Sequence, residues 1–186
     1  MLTPGVWQCL CEIRLSVCNM IHLKGDKIIL RSVDISDIDT ILLWENANND
    51  PLYGIYEERY SREDVVQFIE NQQRYTLSET EQLRLMICSH KGERLGAIDL
   101  TEYDGESASI SIMIFDKECR GKGYGKEALR LIVDYANSLG IKQLNALIHK
   151  ENEVSRRLFV QAKFCKNDQP SDISNSYEAF SHSCIR

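Results

Sequence analysis

The chain has 186 residues, enough for one domain with a real core, and its 43% hydrophobic and 27% charged content excludes a disordered polymer. The formal net charge of −6 argues against a nucleic-acid partner, which selects a basic face, and is compatible with a cationic substrate. The seven cysteines are irregularly spaced, Cys9 and Cys11 sit too close for a zinc knuckle, and no second pair follows. No metal site is expected, and reduced thiols in a cytoplasmic protein fit.

Residues 1–19 carry neither a basic leader nor a clean apolar run, so no signal peptide, membrane span or membrane partner is expected. Met20 opens a natural domain start. The expected organisation is an N-terminal extension over 1–19 outside the fold and a single domain over 20–186. Ile28 to Val33 is a β-branched run and predicts a strand. Asp34 to Trp44 places Ile35, Ile38, Ile41 and Leu42 at helical spacing, with Asp34 or Ser36 as the cap. Asn49-Asp50-Pro51 marks a loop. Ser61-Arg62-Glu63-Asp64 has the form of a capping box, continued as a helix by Val65, Phe68 and Ile69. Glu57, Glu58, Glu63 and Asp64 form an acidic stretch that reads as a solvated helix face and would also suit a polycation. Leu83–Ser89, Leu95–Tyr103 and Ser107–Phe115 follow as strands of an antiparallel meander, with turns at Lys91-Gly92-Glu93 and Asp104-Gly105. Lys126 to Leu139 is an amphipathic helix that Gly140 terminates. Leu144–Ile148 is a fifth strand and Asn152–Ala162 a last helix. Beyond Phe164 only Tyr177–Ser183 reads as a strand.

Between the meander and the third predicted helix lies Arg120-Gly121-Lys122-Gly123-Tyr124-Gly125. A glycine-rich turn from a strand into a helix aims bare N–H groups and the positive end of the helix dipole at one point, which makes an anion site. Glycines permit positive φ and close approach of a phosphate. Each charge-assisted hydrogen bond to that phosphate is worth roughly 1.5–3 kcal/mol. A P-loop is excluded, because Arg120 stands where its first glycine belongs and Glu127 where its Ser or Thr belongs. A dinucleotide-binding turn is disfavoured, because Lys126 replaces the third glycine and the segment follows an antiparallel meander.

Taken together, these features resemble the GCN5-related N-acetyltransferase (GNAT) superfamily, in its ribosomal-protein and spermidine acetyltransferase-like branch. The family pattern Arg/Gln-x-x-Gly-x-Gly/Ala is met by Arg120, Gly123 and Gly125. Its second signature, an Asn, then Ser, an aromatic and a terminal Phe, is met by Asn152, Ser155, Phe159 and Phe164. The resemblance covers about residues 25–164. It implies an α+β fold, a single domain with a mostly antiparallel mixed sheet, a central splay, and helices on both faces. It implies acetyl-CoA as co-substrate and no metal. Residues Arg120, Gly121, Lys122, Gly123, Tyr124, Gly125 and Lys126 would hold the pyrophosphate. Ile114 and Phe115 would border the pantetheine arm, and Asn152 and Ser155 would hydrogen-bond it. Asn152 would equally serve as a plain helix N-cap.

Neutralising a lysine-like amine at pH 7 costs about 4–5 kcal/mol, so acetyl transfer to an amine calls for a base and an oxyanion donor. The resemblance places the base on the meander, where Asp99 and Glu102 are the candidates; Glu45 with Asn46 would line an acceptor pocket, with ordinary helix-end polarity the favoured reading. Many relatives carry a tyrosine, the general acid, where Phe159 stands here. After Phe164 the family continues with two strands, whereas here one is made and a second is poor. The acceptor side is therefore incomplete, differently built or completed by a partner subunit in a homodimer. The expected function is N-acetyl transfer to a small-molecule or peptide amine in a ternary complex. The alternative is a catalytically weak acyl-CoA-binding module.

Overall fold

The computed structural model describes residues 20–47, 59–167 and 176–184. The extension over 1–19, the Asn49-Asp50-Pro51 loop, Glu57 and Glu58 lie outside the described residues. The described elements run β1 (His22–Lys24), β2 (Ile28–Ser32), α1 (Ile38–Ala47), α2 (Arg62–Arg74), α3 (Leu77–Thr80), β3 (Leu83–Ser89), β4 (Arg94–Thr101), β5 (Ser107–Ile114), α4 (Tyr124–Ser138), β6 (Gln143–His149), α5 (Glu153–Gln161), β7 (Cys165–Lys166) and β8 (Tyr177–Ser183). Strands β1, β7 and the short α3 have no strong signal in the sequence. Each is too brief to establish a period.

One eight-stranded sheet has the order β1-β2-β3-β4-β5-β6-β8-β7. Neighbours are antiparallel except β5 and β6, which are parallel and joined through α4. Strand alternation sorts the side chains into two layers. Ile28, Leu30, Ile98, Leu100, Leu144 and Ile148 face α4 and α5 in the larger core. Met86 and Cys88 face α1 and α2 in a smaller core with Ile41, Val65 and Ile69. Helices therefore cover both faces, as expected.

Local chemistry sets the helix starts. Asp34 caps a 3-10 turn, Ile35–Asp37, that leads into α1. Ser61 and Asp64 form the reciprocal capping box of α2. Helix α4 begins at Tyr124, two residues before the expected Lys126, because Gly123 takes φ 88° and acts as the N-cap. Gly96 answers a different need. A Cβ there would lie 2.0 Å from the Met113 carbonyl oxygen, so only glycine lets β4 close on the end of β5.

One buried charge ties the meander to the first helix. The Asp37 side chain is fully buried. Arg31 Nη1 and Nη2 each donate to it at 2.7 Å, and Arg94 Nε donates at 2.5 Å. The Asp34 N–H adds a fourth bond at 2.9 Å. Burial pushes the Asp37 carboxyl up, but the bonds from Arg31 and Arg94 outweigh it and hold the group below the ordinary carboxylate range. Asp37→Ala leaves two arginines facing an emptied site and should cost about 3–5 kcal/mol in urea unfolding. A folded pKa below the unfolded one contributes stability that is present above the unfolded value and lost as pH falls through the folded value. Stability should therefore decline below about pH 4, and the decline should be shallower in Asp37→Asn.

Candidate active site

Strand β5 pairs with β6 only at Ser107↔Gln143, Ala108↔Leu144 and Ser109↔Asn145. Antiparallel pairing to β4 continues to Ile114, and β6 continues with β8 to His149. The two central strands thus part company after three pairs and leave a gap in the middle of the sheet. The gap falls at the C-terminal ends of both strands, the end from which the chain enters the glycine turn.

That turn has the expected backbone. Gly121 has φ 75° and Gly123 φ 88°, both in the region that favours glycine. Gly125 is required for another reason: a Cβ there would stand 3.3 Å from Leu158 of α5, so it sets the approach of α5 to the start of α4. Arg120 Nε donates to the Ile114 carbonyl at 2.9 Å and ties the turn to the end of β5. Lys126 is exposed on the first turn of α4, and Tyr124 is half-buried against the core. Lys27, from the β1–β2 hairpin, also reaches the turn: its Nζ donates to the Lys122 carbonyl at 3.0 Å. Glu127 holds the hairpin there by accepting from the Lys27 N–H at 3.0 Å and from the Asp26 N–H. A groove of about 840 Å³ runs from Gly123 along α4, with Lys27, Lys126 and Arg130 on its wall.

The gap itself is a cavity of about 330 Å³. Met113 and Phe115 border it from β5, Asn152 and Ser155 from α5, and Asp99 from β4. Asn152 is buried, and its Oδ1 accepts from the Ser155 N–H at 3.1 Å, so it is the N-cap of α5 as well as a wall of the cavity. Phe159 is 3% exposed and packs edge-on against Phe164 at 4.9 Å.

On the face covered by α1 and α2, Arg84, Asp99 and Ser111 form a row across β3, β4 and β5. Arg84 Nε and Nη2 donate to Asp99 Oδ1 and Oδ2 at 2.6 and 3.2 Å, and Nη1 donates to Glu45 of α1. Ser111 Oγ donates to Asp99 Oδ2 at 3.4 Å. Burial alone would lower the Arg84 pKa; the charges and hydrogen bonds of Asp99 and Glu45 outweigh it and raise it. Two carboxylates face one guanidinium, so the cluster carries one excess negative charge at the cavity. Trp44 stacks on Phe115 at 4.3 Å and seats the end of α1 against the same opening.

The expected site residues therefore divide. Asp99, Phe115, Asn152 and Ser155 meet at the cavity, while Arg120 to Lys126 with Ile114 form the adjoining turn. Glu102 does not join them. It lies beyond the end of β4 with φ 54°, exposed, and accepts from Ser109 Oγ at 2.6 Å. Cys119 is held by Asp116, whose hydrogen bond raises the thiol pKa, which suits a bystander. Sequence reasoning missed Lys27, Arg84, His149 and Tyr177. None has a local motif; Arg84, His149 and Tyr177 reach the site through strand register, and Lys27 reaches the turn through the hairpin that Glu127 holds.

A model of the acetyltransferase (GNAT) domain matches residues 27–164. The chain belongs to the GNAT acetyltransferase family. An uncharacterized Methanocaldococcus jannaschii protein is 22% identical over 173 residues, covering 90% of this chain and 35% of that protein. The chain spans about a third of the length of the curated relatives it matches. Among solved structures, Vibrio cholerae spermidine N-acetyltransferase in complex with CoA and spermine superposes with a TM-score of 0.69 at 19% identity, covering 86% of this chain and 96% of that one. The ribosomal L7/L12 alpha-N-protein acetyltransferase RimL in complex with coenzyme A gives 0.71 at 13% identity, covering 88% and 98%.

Arg84→Leu should unfold at lower urea, by about 3–5 kcal/mol at neutral pH, because it leaves the buried Asp99 and the half-buried Glu45 without their cation. A loss below about 1 kcal/mol, the worth of an exposed ion pair, would refute this account of the cluster.

Proposed function

We propose that the protein transfers the acetyl group of acetyl-CoA to a primary amine by direct attack in a ternary complex. One observation carries the reading. The glycine turn at the start of α4 lies at the same end of the sheet where β5 and β6 part and is tied by Arg120 to the end of β5, so an anion site and a strand-wide slot adjoin. A phosphate-bearing arm fits that pair of features. Backbone N–H groups from Arg120 to Gly125 would hold the pyrophosphate, with Lys27, Lys122 and Lys126 supplying charge. The pantetheine arm would lie in the gap along Ile114 and Phe115, within reach of Asn152 and Ser155. The relatives that are solved with coenzyme A support this placement by their fold.

The amine would enter from the α1/α2 face. The excess negative charge of Glu45 and Asp99 over Arg84 attracts its ammonium form. Asp99 would take the ammonium proton through water, because both of its oxygens already hold bonds to Arg84 or Ser111. A backbone N–H of the splayed β5 would stabilise the oxyanion of the tetrahedral intermediate. The acceptor is a small-molecule or peptide amine, with polyamines, aminoglycosides and protein N-termini as the classes to compare.

Incubation with acetyl-CoA and a panel of these amines should release free thiol only when an amine is present. Tight acetyl-CoA binding without amine-dependent release would instead mark an acyl-CoA-binding module, and no binding would reject both readings. Gly123→Val forces a β-branched residue to φ 88° and should abolish coenzyme A binding by calorimetry in a folded protein. Unchanged affinity would refute the assigned turn.

A further inference from the structure

We propose that Tyr177 is the general acid of acetyl transfer, delivering a proton to the departing coenzyme A thiolate. The inference rests on the acetyl-transfer reading and deepens it. In the resembled family the acid is a tyrosine of the last helix, and that position is Phe159, which has no proton to give: it packs edge-on against Phe164 and lines the cavity with an apolar ring. The cavity nevertheless holds a phenol. Strands β6 and β8 end on the pair His149↔Tyr177, and both residues line the same cavity as Met113, Phe115 and Ser155.

Strand alternation fixes which face they occupy. Leu144, Ala146 and Ile148 are buried toward α4 and α5, so His149 and its partner Tyr177 face the opposite, α1/α2 side. They therefore stand across the gap from Asp99, Arg84 and Glu45. The Tyr177 ring meets His149 edge-to-face at 5.3 Å. His149 is itself positioned by the Glu151 N–H, which donates to Nδ1 at 3.3 Å. That bond fixes the ring through its Nδ1 lone pair. Arg84 never releases its proton. Among the described residues, three with hydroxyls border the cavity: Ser111, Ser155 and Tyr177. Ser111 donates to Asp99, and a serine hydroxyl is far less acidic than a phenol. Tyr177 carries the most acidic of these hydroxyls.

The step balances. A neutral amine attacks the thioester carbon, giving an intermediate with a positive nitrogen and a negative oxygen. The oxygen lone pair re-forms the carbonyl, the carbon–sulfur bond breaks, and its electron pair takes the Tyr177 proton. The tyrosinate then takes the surplus proton from the new amide nitrogen, directly or through one water. Tyr177 is restored, and the products are the acetamide and free thiol.

The test compares the full-length wild type, Tyr177→Phe and a protein with 3-fluorotyrosine at 177, using the best amine from the panel. Tyr177→Phe should lower kcat by about 10²–10⁴-fold, the usual contribution of a general acid. Its KM for acetyl-CoA and its coenzyme A affinity should stay at wild-type values. The more acidic fluorinated phenol should move the basic limb of the kcat–pH profile to lower pH, which a packing role would not do. Wild-type kcat in Tyr177→Phe, or an unmoved basic limb in the fluorinated protein, would overturn the inference and leave the acetyl-transfer reading standing. A wild type without amine-dependent thiol release would overturn both.

Discussion

The parting of β5 from β6 is the constraint on which the rest of the site depends. A parallel pair inside a sheet normally continues for the length of its strands, because every backbone N–H and C=O needs a partner. Here the ladder stops at Ser109↔Asn145 although both strands run on. Each strand is held by its other neighbour instead, β5 by β4 and β6 by β8. The sheet thus behaves as two half-sheets that share a three-pair seam. Gly96 lets β4 follow β5 closely to its end, and Arg120 occupies the Ile114 carbonyl where a β6 partner is missing. An extended ligand entering the gap meets a strand edge already shaped for it.

The same parting decides where charge accumulates. On the side of α4 the gap opens onto the glycine turn, with Lys27 and Lys122 beside it. On the side of α1 and α2 it opens onto Glu45 and Asp99, which outnumber Arg84. Basic and acidic groups thus stand on opposite sides of the parting. Arg84 matters here for more than charge. Arg84 bridges the two carboxylates and fixes Asp99 in the row beside Ser111.

Much of this was legible in the sequence, and the parts that were not share a cause. The capping box at Ser61, the glycine turn and the Asn152 cap are written in consecutive residues, so they could be read with their chemistry attached. The meander and the splay followed from element order and the family resemblance. Asp99 was visible because a carboxylate interrupts the apolar run of Ile98 and Leu100. Glu102 had the same local credentials, yet the chain leaves the strand at Thr101 and carries it out to the turn. Lys27 and Arg84 could not be found this way. Lys27 reaches Gly123 because Glu127 captures the hairpin, and Arg84 reaches Glu45 because α1 crosses β3. Both facts depend on packing between segments distant in sequence, which no local pattern encodes.

Phe159 shows how packing and chemistry compete for one position. Its ring sits edge-on against Phe164, which in turn tilts against His182 of β8, so it is part of the joint between the last helix and the last strand. Phe159 stands between this apolar joint and the cavity, and a hydroxyl left in the joint without a hydrogen-bond partner would cost about 1–3 kcal/mol. The apolar ring is therefore the stable choice for a joint built like this one. Strand β8 is held along one edge by seven pairs with β6 and along the other by two with β7, and Phe180 and His182 seat it on one face. Anchoring β8 through Phe180 and His182 on one face leaves its alternate residues on the other, and the first of these is Tyr177. The contact that removes a phenol from the helix thus also fixes the strand that presents one to the cavity.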